Sequence, residues 1–177
     1  TVLVGLRAAG MSTAERGTNL LDSGAPFYEV YECADGKYVS IGPIEHKFYV
    51  QLLERLELDD PALKDQKDQL DWPAAKRVFA AKFKTKTRAQ WTQLLEGTDV
   101  CFAPVLDLNE AHRHPHLQAR KTFVEVAGVM QPAPAPRFSR TPPDMPRPPA
   151  EPSADALCGW LTEEEIAALA AAARRIE

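Results

Sequence analysis

Nine of the fifteen prolines in this 177-residue chain fall between residues 131 and 153: Pro132, Pro134, Pro136, Pro142, Pro143, Pro146, Pro148, Pro149 and Pro152. Proline has no backbone N–H and holds φ near about −65°, so such a stretch enters neither a helix interior nor a sheet and runs extended. The chain therefore reads as one folded unit followed by an arm that reaches something else. Elsewhere the balance is ordinary for a globular protein, with 45% hydrophobic and 26% charged residues. A net charge of −4 supplies no overall basic field, so nucleic acid is not an expected partner. The wholly apolar runs are far shorter than the roughly 20 residues a bilayer helix needs, and no charged-then-apolar leader opens the chain. No membrane association is expected. Cys33, Cys101 and Cys158 are odd in number and far apart, which gives neither a disulfide framework nor a CxxC site. A reducing cytoplasm fits them best.

Residues 2–11 are apolar around Arg7 and read as the tail of a helix, followed by a loop over residues 17–26. Residues 27–33 and 37–42 are β-prone runs separated by Ala34-Asp35-Gly36, a hairpin signal because glycine accepts positive φ. Helical spacing of Phe48, Leu52, Leu53 and Leu56 predicts an amphipathic helix from near Ile44 to Leu58. A second helix is expected from Asp71, with Pro73 in its first turn, Val78, Phe79 and Phe83 inward, and Lys76, Arg77, Lys82 and Lys84 in water. Thr87-Arg-Ala-Gln90 has the form of a capping box opening a third helix, with Trp91, Leu94 and Leu95 inward. Residues 100–106 contain Pro104 and read as an edge strand, Asp107 opens a short helix, and residues 122–126 form another strand candidate. After the arm, residues 153–160 and 162–175 are expected to be helical. The second of these opens on Thr162-Glu-Glu-Glu165 and closes on Arg174 and Arg175, charges that suit the two ends of a helix dipole.

The candidate catalytic group is Glu45, in Gly42-Pro43-Ile44-Glu45, where a strand ends and a helix begins. Helix-start N–H groups favour an ionised carboxylate there, and such a group suits the orientation of an imidazole better than proton donation. The plainer reading, a good first-turn residue, stands beside it. Asn19, Asp22 and Ser23 either line a polar pocket or supply turn hydrogen bonds, and spacing alone favours the turn. His112, His114 and His116 form an HxHxH string, but Pro115 interrupts it at a helix boundary and no Cys or acid sits at ligand spacing. Surface packing is expected there, and no metal. His46 is expected to be an exposed helix residue. The basic residues Lys82, Lys84, Lys86 and Arg88, and Arg137, Arg140 and Arg147, read as solvated faces. No GxSxG, P-loop, GxGxxG or HExxH motif occurs.

Several separated blocks carry more than periodicity. Arg16-Gly-Thr-Asn-Leu-Leu-Asp-Ser-Gly-Ala-Pro-Phe-Tyr28, Tyr31-Glu-Cys-Ala-Asp-Gly-Lys-Tyr38 and Ile41-Gly-Pro-Ile-Glu-His-Lys-Phe-Tyr49 resemble the α-methylacyl-CoA racemase branch of the class III CoA-transferase (CaiB/BaiF) family. Gly97-Thr-Asp-Val-Cys-Phe-Ala-Pro-Val105, Pro134-Ala-Pro-Arg-Phe-Ser-Arg-Thr-Pro142 and Leu161-Thr-Glu-Glu-Glu-Ile-Ala-Ala-Leu169 follow in the same order.

The resemblance implies the C-terminal half of a longer protein, an expectation to which the opening at Thr1 without Met adds. It implies an α+β fold, with a linker helix and loop over residues 1–26 and a small domain with a short antiparallel sheet over residues 27–127. Residues 128–177 become a proline-rich arm whose helices return to a Rossmann-like large domain, in an interlocked homodimer. The implied reaction is 1,1-proton transfer at C2 of a 2-methyl-branched acyl-CoA, by a His and an Asp outside this chain. Glu45 would stand beside that His, and Asn19, Leu20, Asp22, Gly24, Gly42 and Ile44 would line the acyl side. No cofactor is implied, since CoA is part of the substrate, and a bacterial cytoplasm is the expected location. The alternatives are CoA transfer between carboxylic acids, and a non-catalytic dimerisation module for the isolated chain.

Overall fold

The structure, a computed structural model, describes residues 2–149 and 153–173. Its elements run α1 (Val2–Ala8), β1 (Glu29–Glu32), β2 (Tyr38–Ile41), α2 (His46–Leu56), α3 (Trp72–Phe83), α4 (Arg88–Leu95), β3 (Phe102–Pro104), α5 (Leu108–Ala111), α6 (Pro115–Ala119), β4 (Phe123–Val126), β5 (Val129–Pro132) and α7 (Glu163–Ala173). Single 3-10 turns lie at Pro61–Leu63 and Ala154–Leu157. The fold is α+β. Its contacts divide it into two units, residues 1–108 and 109–177.

In the first unit, β1, β2 and β3 form an antiparallel sheet with β2 in the centre. Gly36 takes φ +73° in the turn between β1 and β2, a value that side chains disfavour. Alternation along the strands then decides what is buried. Tyr31, Val39 and Ile41 face the helices and are at most 5% exposed, while Val30, Ser40 and Ala103 form a cross-strand row on the open face. β3 is the edge its proline requires.

The core is aromatic and continuous. Phe27 meets Tyr49 and Trp72 edge-on at 5.7 and 6.0 Å between centroids, Phe79 touches Tyr31 and Tyr49, and Phe83 bridges Tyr31 and Trp91 at 5.2 and 5.3 Å. Such pairs add to what burial alone contributes. Each polar tip among these rings has a carbonyl acceptor. The Tyr31 hydroxyl donates to Pro26 O at 2.6 Å, Tyr49 to Leu63 O at 3.0 Å, Trp72 Nε1 to Gln66 O at 3.2 Å and Trp91 Nε1 to Phe83 O at 2.8 Å. Buried donors left without such partners would cost about 1–3 kcal/mol each.

The local signals of α4 and α7 are met. Thr87 and Gln90 exchange both bonds of the capping box, and Thr162 and Glu165 do the same. Other expectations are corrected. Tyr49, not Phe48, is the buried aromatic of α2, and Leu94 of α4 is 38% exposed. In α3, Trp72 and Ala75 join Phe79 and Phe83 inside, whereas Val78 is only partly covered. Lys76, expected in water, pairs with Glu29 at 2.8 Å and donates to the Ser23 carbonyl, because its long stem lets the ammonium reach from a half-buried base. The initial helix stops at Ala8, and residues 153–160 contain only the 3-10 turn. Arg174 and Arg175 lie outside the described residues.

The second unit is built differently. β4 and β5 form a hairpin in the register Phe123↔Pro132 to Val126↔Val129, turning through Ala127 and Gly128 at φ +50° and +80°. β5 was not anticipated, because alanine carries no hairpin signal and the arm was expected from residue 128. Pro132 terminates β5, and the described residues from there to 149 carry no regular structure. Among the described residues none beyond Val100 is buried. Phe138 and Trp160 are 59% and 88% exposed.

Burial in the first unit has a pH consequence. The Cys33 thiol is pushed up from 9.0 to about 11 by burial, with Asp35 adding to it. The Tyr49 phenol is pushed from 10.0 to about 12 by burial, and burial together with Glu29 raises Tyr31 too. All three are neutral when folded and ionise more readily when unfolded. Their contribution is therefore whole below about pH 9 and is lost as pH rises through about 9 to 12. Urea midpoints should fall progressively across that window, and the phenolate absorbance of Tyr31 and Tyr49 should appear only as the near-ultraviolet circular dichroism disappears. Phenolate forming at Tyr31 or Tyr49 in a still-native protein, read in a variant whose exposed Tyr28 and Tyr38 are replaced by phenylalanine, would contradict this.

Candidate functional site

The strand-to-helix junction between β2 and α2 carries the exposed carboxylate of Glu45. Gly42 extends the ladder, donating its N–H to Cys101 O at 2.9 Å. A methyl group on Gly42 would meet the Tyr28 ring at 3.7 Å, an ordinary contact, so packing does not demand glycine there. Pro43 is fully buried and Ile44 is 39% exposed. Glu45 is the N-cap of α2, with extended φ and ψ of −73° and 133°, and its carbonyl accepts the Phe48 and Tyr49 N–H groups.

The Glu45 side chain makes no capping bond, contrary to what a helix-start carboxylate usually does. It is exposed and forms no hydrogen bond or ion pair among the described residues. Its charge is nevertheless felt nearby. The exposed Cys101 thiol, on a residue with φ +53°, is raised first by partial burial and then by the Glu45 and Asp99 carboxylates. Glu45 is thus an uncommitted anion on the surface, available to a group this chain does not hold.

The loop before β1 is settled by its own bonds. Asn19 N donates to Asp22 Oδ1 and Asn19 Nδ2 to Asp22 Oδ2, each at 2.7 Å, while Asn19 Oδ1 accepts Thr13 N at 2.7 Å. These bonds hold the Asp22 carboxyl below its ordinary value, the Asn19 amide contributing most. Gly24 donates to Asn19 O at 2.9 Å, and a Cβ there would lie 2.3 Å from that same oxygen. Only glycine fits. Asn19, Asp22 and Gly24 therefore shape the loop.

Two clefts flank α1. One of about 520 Å³ is lined by Leu3, Met11, Asn19, Leu20 and Asp22. The other, about 470 Å³, is lined by Leu6, Met11, Leu20, Phe27, Ile44 and Trp72, with Gln66 and Lys67 at its polar side. Leu20 belongs to both. Gly42 lies apart, in a shallow dish of about 270 Å³ with Tyr28 and Cys101. Of the residues assigned to the acyl side, Asn19, Leu20, Asp22, Ile44 and Gly42 thus fall on three surfaces, while the buried Gly24 lines none of them.

One residue of this neighbourhood carried no sequence signal. Gln66, between two short turns, is 6% exposed, and its amide reaches back to Pro43 and Ile44. A buried glutamine in a polar loop follows no period, so only the fold reveals it. The basic clusters have local partners: Lys84 pairs with Glu32 at 2.7 Å, Lys86 lies over the Trp91 ring, and Arg137 donates to Arg120 O. His112 accepts from Arg113, and His114 is the N-cap of α6, a helix the sequence reading did not place. No group of three or more possible metal ligands occurs among the described residues, and no described helix is long and apolar enough to cross a membrane.

Known proteins agree on the family. An α-methylacyl-CoA racemase of Mus musculus is 44% identical over 134 residues, which is 75% of this chain and 35% of that protein. The α-methylacyl-CoA racemase of Homo sapiens is 42% identical over 130 residues, 73% of this chain and 34% of its own. The match thus spans about a third of these relatives' length. Among solved structures, Rv3272 of Mycobacterium tuberculosis shares the fold with a TM-score of 0.57 at 15% identity, over 80% of this chain and 40% of that one. The sequence model of CoA-transferase family III matches residues 5–156. Over nearly its whole length, then, from within α1 to the turn before α7, this chain belongs to CoA-transferase family III.

Proposed function

We propose that this chain is the C-terminal part of an α-methylacyl-CoA racemase-like enzyme, which epimerises C2 of 2-methyl-branched acyl-CoA thioesters by 1,1-proton transfer. The observation that carries the reading is Glu45: a carboxylate set on a helix N-cap, left uncapped and unpaired, in a chain 44% identical to a protein named for that reaction. The thioester acidifies the α-proton, so positioned bases suffice and no cofactor beyond the CoA of the substrate is required. The principal His and Asp belong to the N-terminal half. Glu45 holds the imidazole in orientation by accepting its N–H, an ion-paired geometry that also favours the imidazolium formed when the proton leaves. The apolar cleft beside Ile44 suits a branched hydrocarbon chain, which it would bury beside the polar edge of Gln66 and Lys67.

In that intact protein residues 1–26 link two domains, residues 27–127 are the small domain, and residues 128–177 return to a Rossmann-like domain within an interlocked cytoplasmic homodimer. The exposed apolar side chains of the second unit are consistent with a surface completed elsewhere. A second reading, CoA transfer between carboxylic acids, is supported by the family name and by a 29% identical CaiB/baiF CoA-transferase family protein of Caenorhabditis elegans.

Incubating the intact enzyme with one epimer of a 2-methylacyl-CoA in heavy water separates them. Deuterium at C2 with loss of optical purity is expected. Transfer of CoA to a free carboxylate without exchange would establish the second reading instead. The 177-residue chain alone should incorporate no deuterium, and incorporation by it would mean that the bases lie within these residues.

A further inference from the structure

We propose that Gln66 is a positioning residue that fixes the backbone from which Glu45 presents its carboxylate, an inference that rests on the racemase reading. Gln66 is the one polar side chain buried among the described residues, at 6% exposure. Its Nε2 donates to Pro43 O at 2.9 Å and to Ile44 O at 3.0 Å, and its Oε1 lies 3.4 Å from His46 Nδ1. Its own carbonyl accepts Trp72 Nε1, which anchors the loop to the first turn of α3.

These contacts fall on residues 43, 44 and 46 and bracket Glu45 without touching it. The bracketed carbonyls precede the N-cap, so they have no helical N–H to pair with, and buried carbonyls need a donor. A primary amide supplies two N–H donors and one acceptor, which matches two carbonyls and one imidazole. The usual way to fix a helix N-cap is through its own side chain, and here that bond is absent. Gln66 fixes the junction from behind instead. Glu45 keeps a defined backbone position while its carboxylate stays free, which an orienting group needs, because displacement by about 1 Å can cost about 10²-fold in rate.

The test uses the intact enzyme, comparing Gln66→Leu alone and in the Glu45→Gln background, with deuterium exchange at C2 of a 2-methylacyl-CoA as the rate. Gln66→Leu alone is expected to lower kcat tenfold or more, beyond any change in KM that follows from its place at the edge of the cleft. In the Glu45→Gln background it should lower kcat no further, since the group it positions is already gone. An equal fall in both backgrounds, or an unchanged kcat, overturns the proposal.

Gln66→Glu guards against a Leu variant that does not fold. Its carboxylate faces two carbonyl oxygens, and protonation restores one donor. The ratio of its rate to that of the unaltered enzyme should therefore rise as pH falls, and a flat ratio overturns the assignment. An unaltered enzyme that performs no exchange would defeat the racemase reading itself, a result distinct from an active enzyme indifferent to Gln66.

Discussion

Glu45→Gln in the intact enzyme is expected to slow α-proton exchange by on the order of 10²-fold or more while leaving the melting temperature almost unchanged. The two halves of this expectation come from separate observations. The rate should fall because glutamine keeps the size of glutamate but has no charge with which to hold an imidazole and offset its protonation. Stability should hold because the Glu45 side chain is exposed and makes no capping bond, hydrogen bond or ion pair within the described chain. CoA affinity should change little, since in the proposed enzyme CoA rests on the N-terminal domain. An independent reporter lies beside it. The Glu45 charge helps raise the Cys101 thiol, so Glu45→Gln should speed alkylation of that exposed cysteine at neutral pH, read by peptide mass. A normal exchange rate would return Glu45 to the plain role of a helix N-cap.

Phe79→Ala has the largest expected effect on stability, about 3–5 kcal/mol. Phe79 is 0% exposed and sits where three other rings converge: Tyr31 at 5.9 Å, Tyr49 at 6.4 Å and Phe83 at 6.5 Å between centroids. Those rings come from β1, α2 and α3, elements fixed by other contacts, so the space cannot close without moving the sheet against a helix. The loss approaches the whole stability of many domains of this size. Urea unfolding followed by tryptophan fluorescence should show a large drop in midpoint, because Trp72 and Trp91 lie at the two ends of the same aromatic row. A change below about 1 kcal/mol would mean that the core is far more plastic than its packing implies.

Short-range rules made the first unit legible. The Asp35-Gly36 turn, the Thr87–Gln90 box and the edge position of Pro104 each depend on a few adjacent residues, and each is present. What stayed hidden depends on distant partners. Tyr49 is buried instead of Phe48 because Phe27, Phe79 and the Leu63 carbonyl lie on that side of α2, and Lys76 turns from solvent because Glu29 and the Ser23 carbonyl lie within its reach. The β4–β5 hairpin turns on Ala127 in a left-handed conformation, which no residue preference advertises. At the site, the junction bearing Glu45 was readable from the order of strand, proline and helix. Its carboxylate is uncapped, and Asn19 and Asp22 hydrogen-bond one another within their loop while also lining a cleft. Gln66 was unreadable, since its role is defined by two carbonyls more than twenty residues earlier in the chain.

The absence of buried residues beyond Val100 among the described residues determines how this chain would respond to heating. Heat capacity of unfolding follows the apolar surface newly exposed, about 12–15 cal/mol/K per residue for an ordinary domain. If all 177 residues shared a core, the increment would be about 2.1–2.7 kcal/mol/K; a core confined to the 108-residue first unit gives about 1.3–1.6 kcal/mol/K. The remaining residues, with Trp160 and Phe138 already in contact with water, have little surface left to uncover. In a calorimeter the chain would register as the smaller protein, and the increment should grow only when another polypeptide covers those side chains.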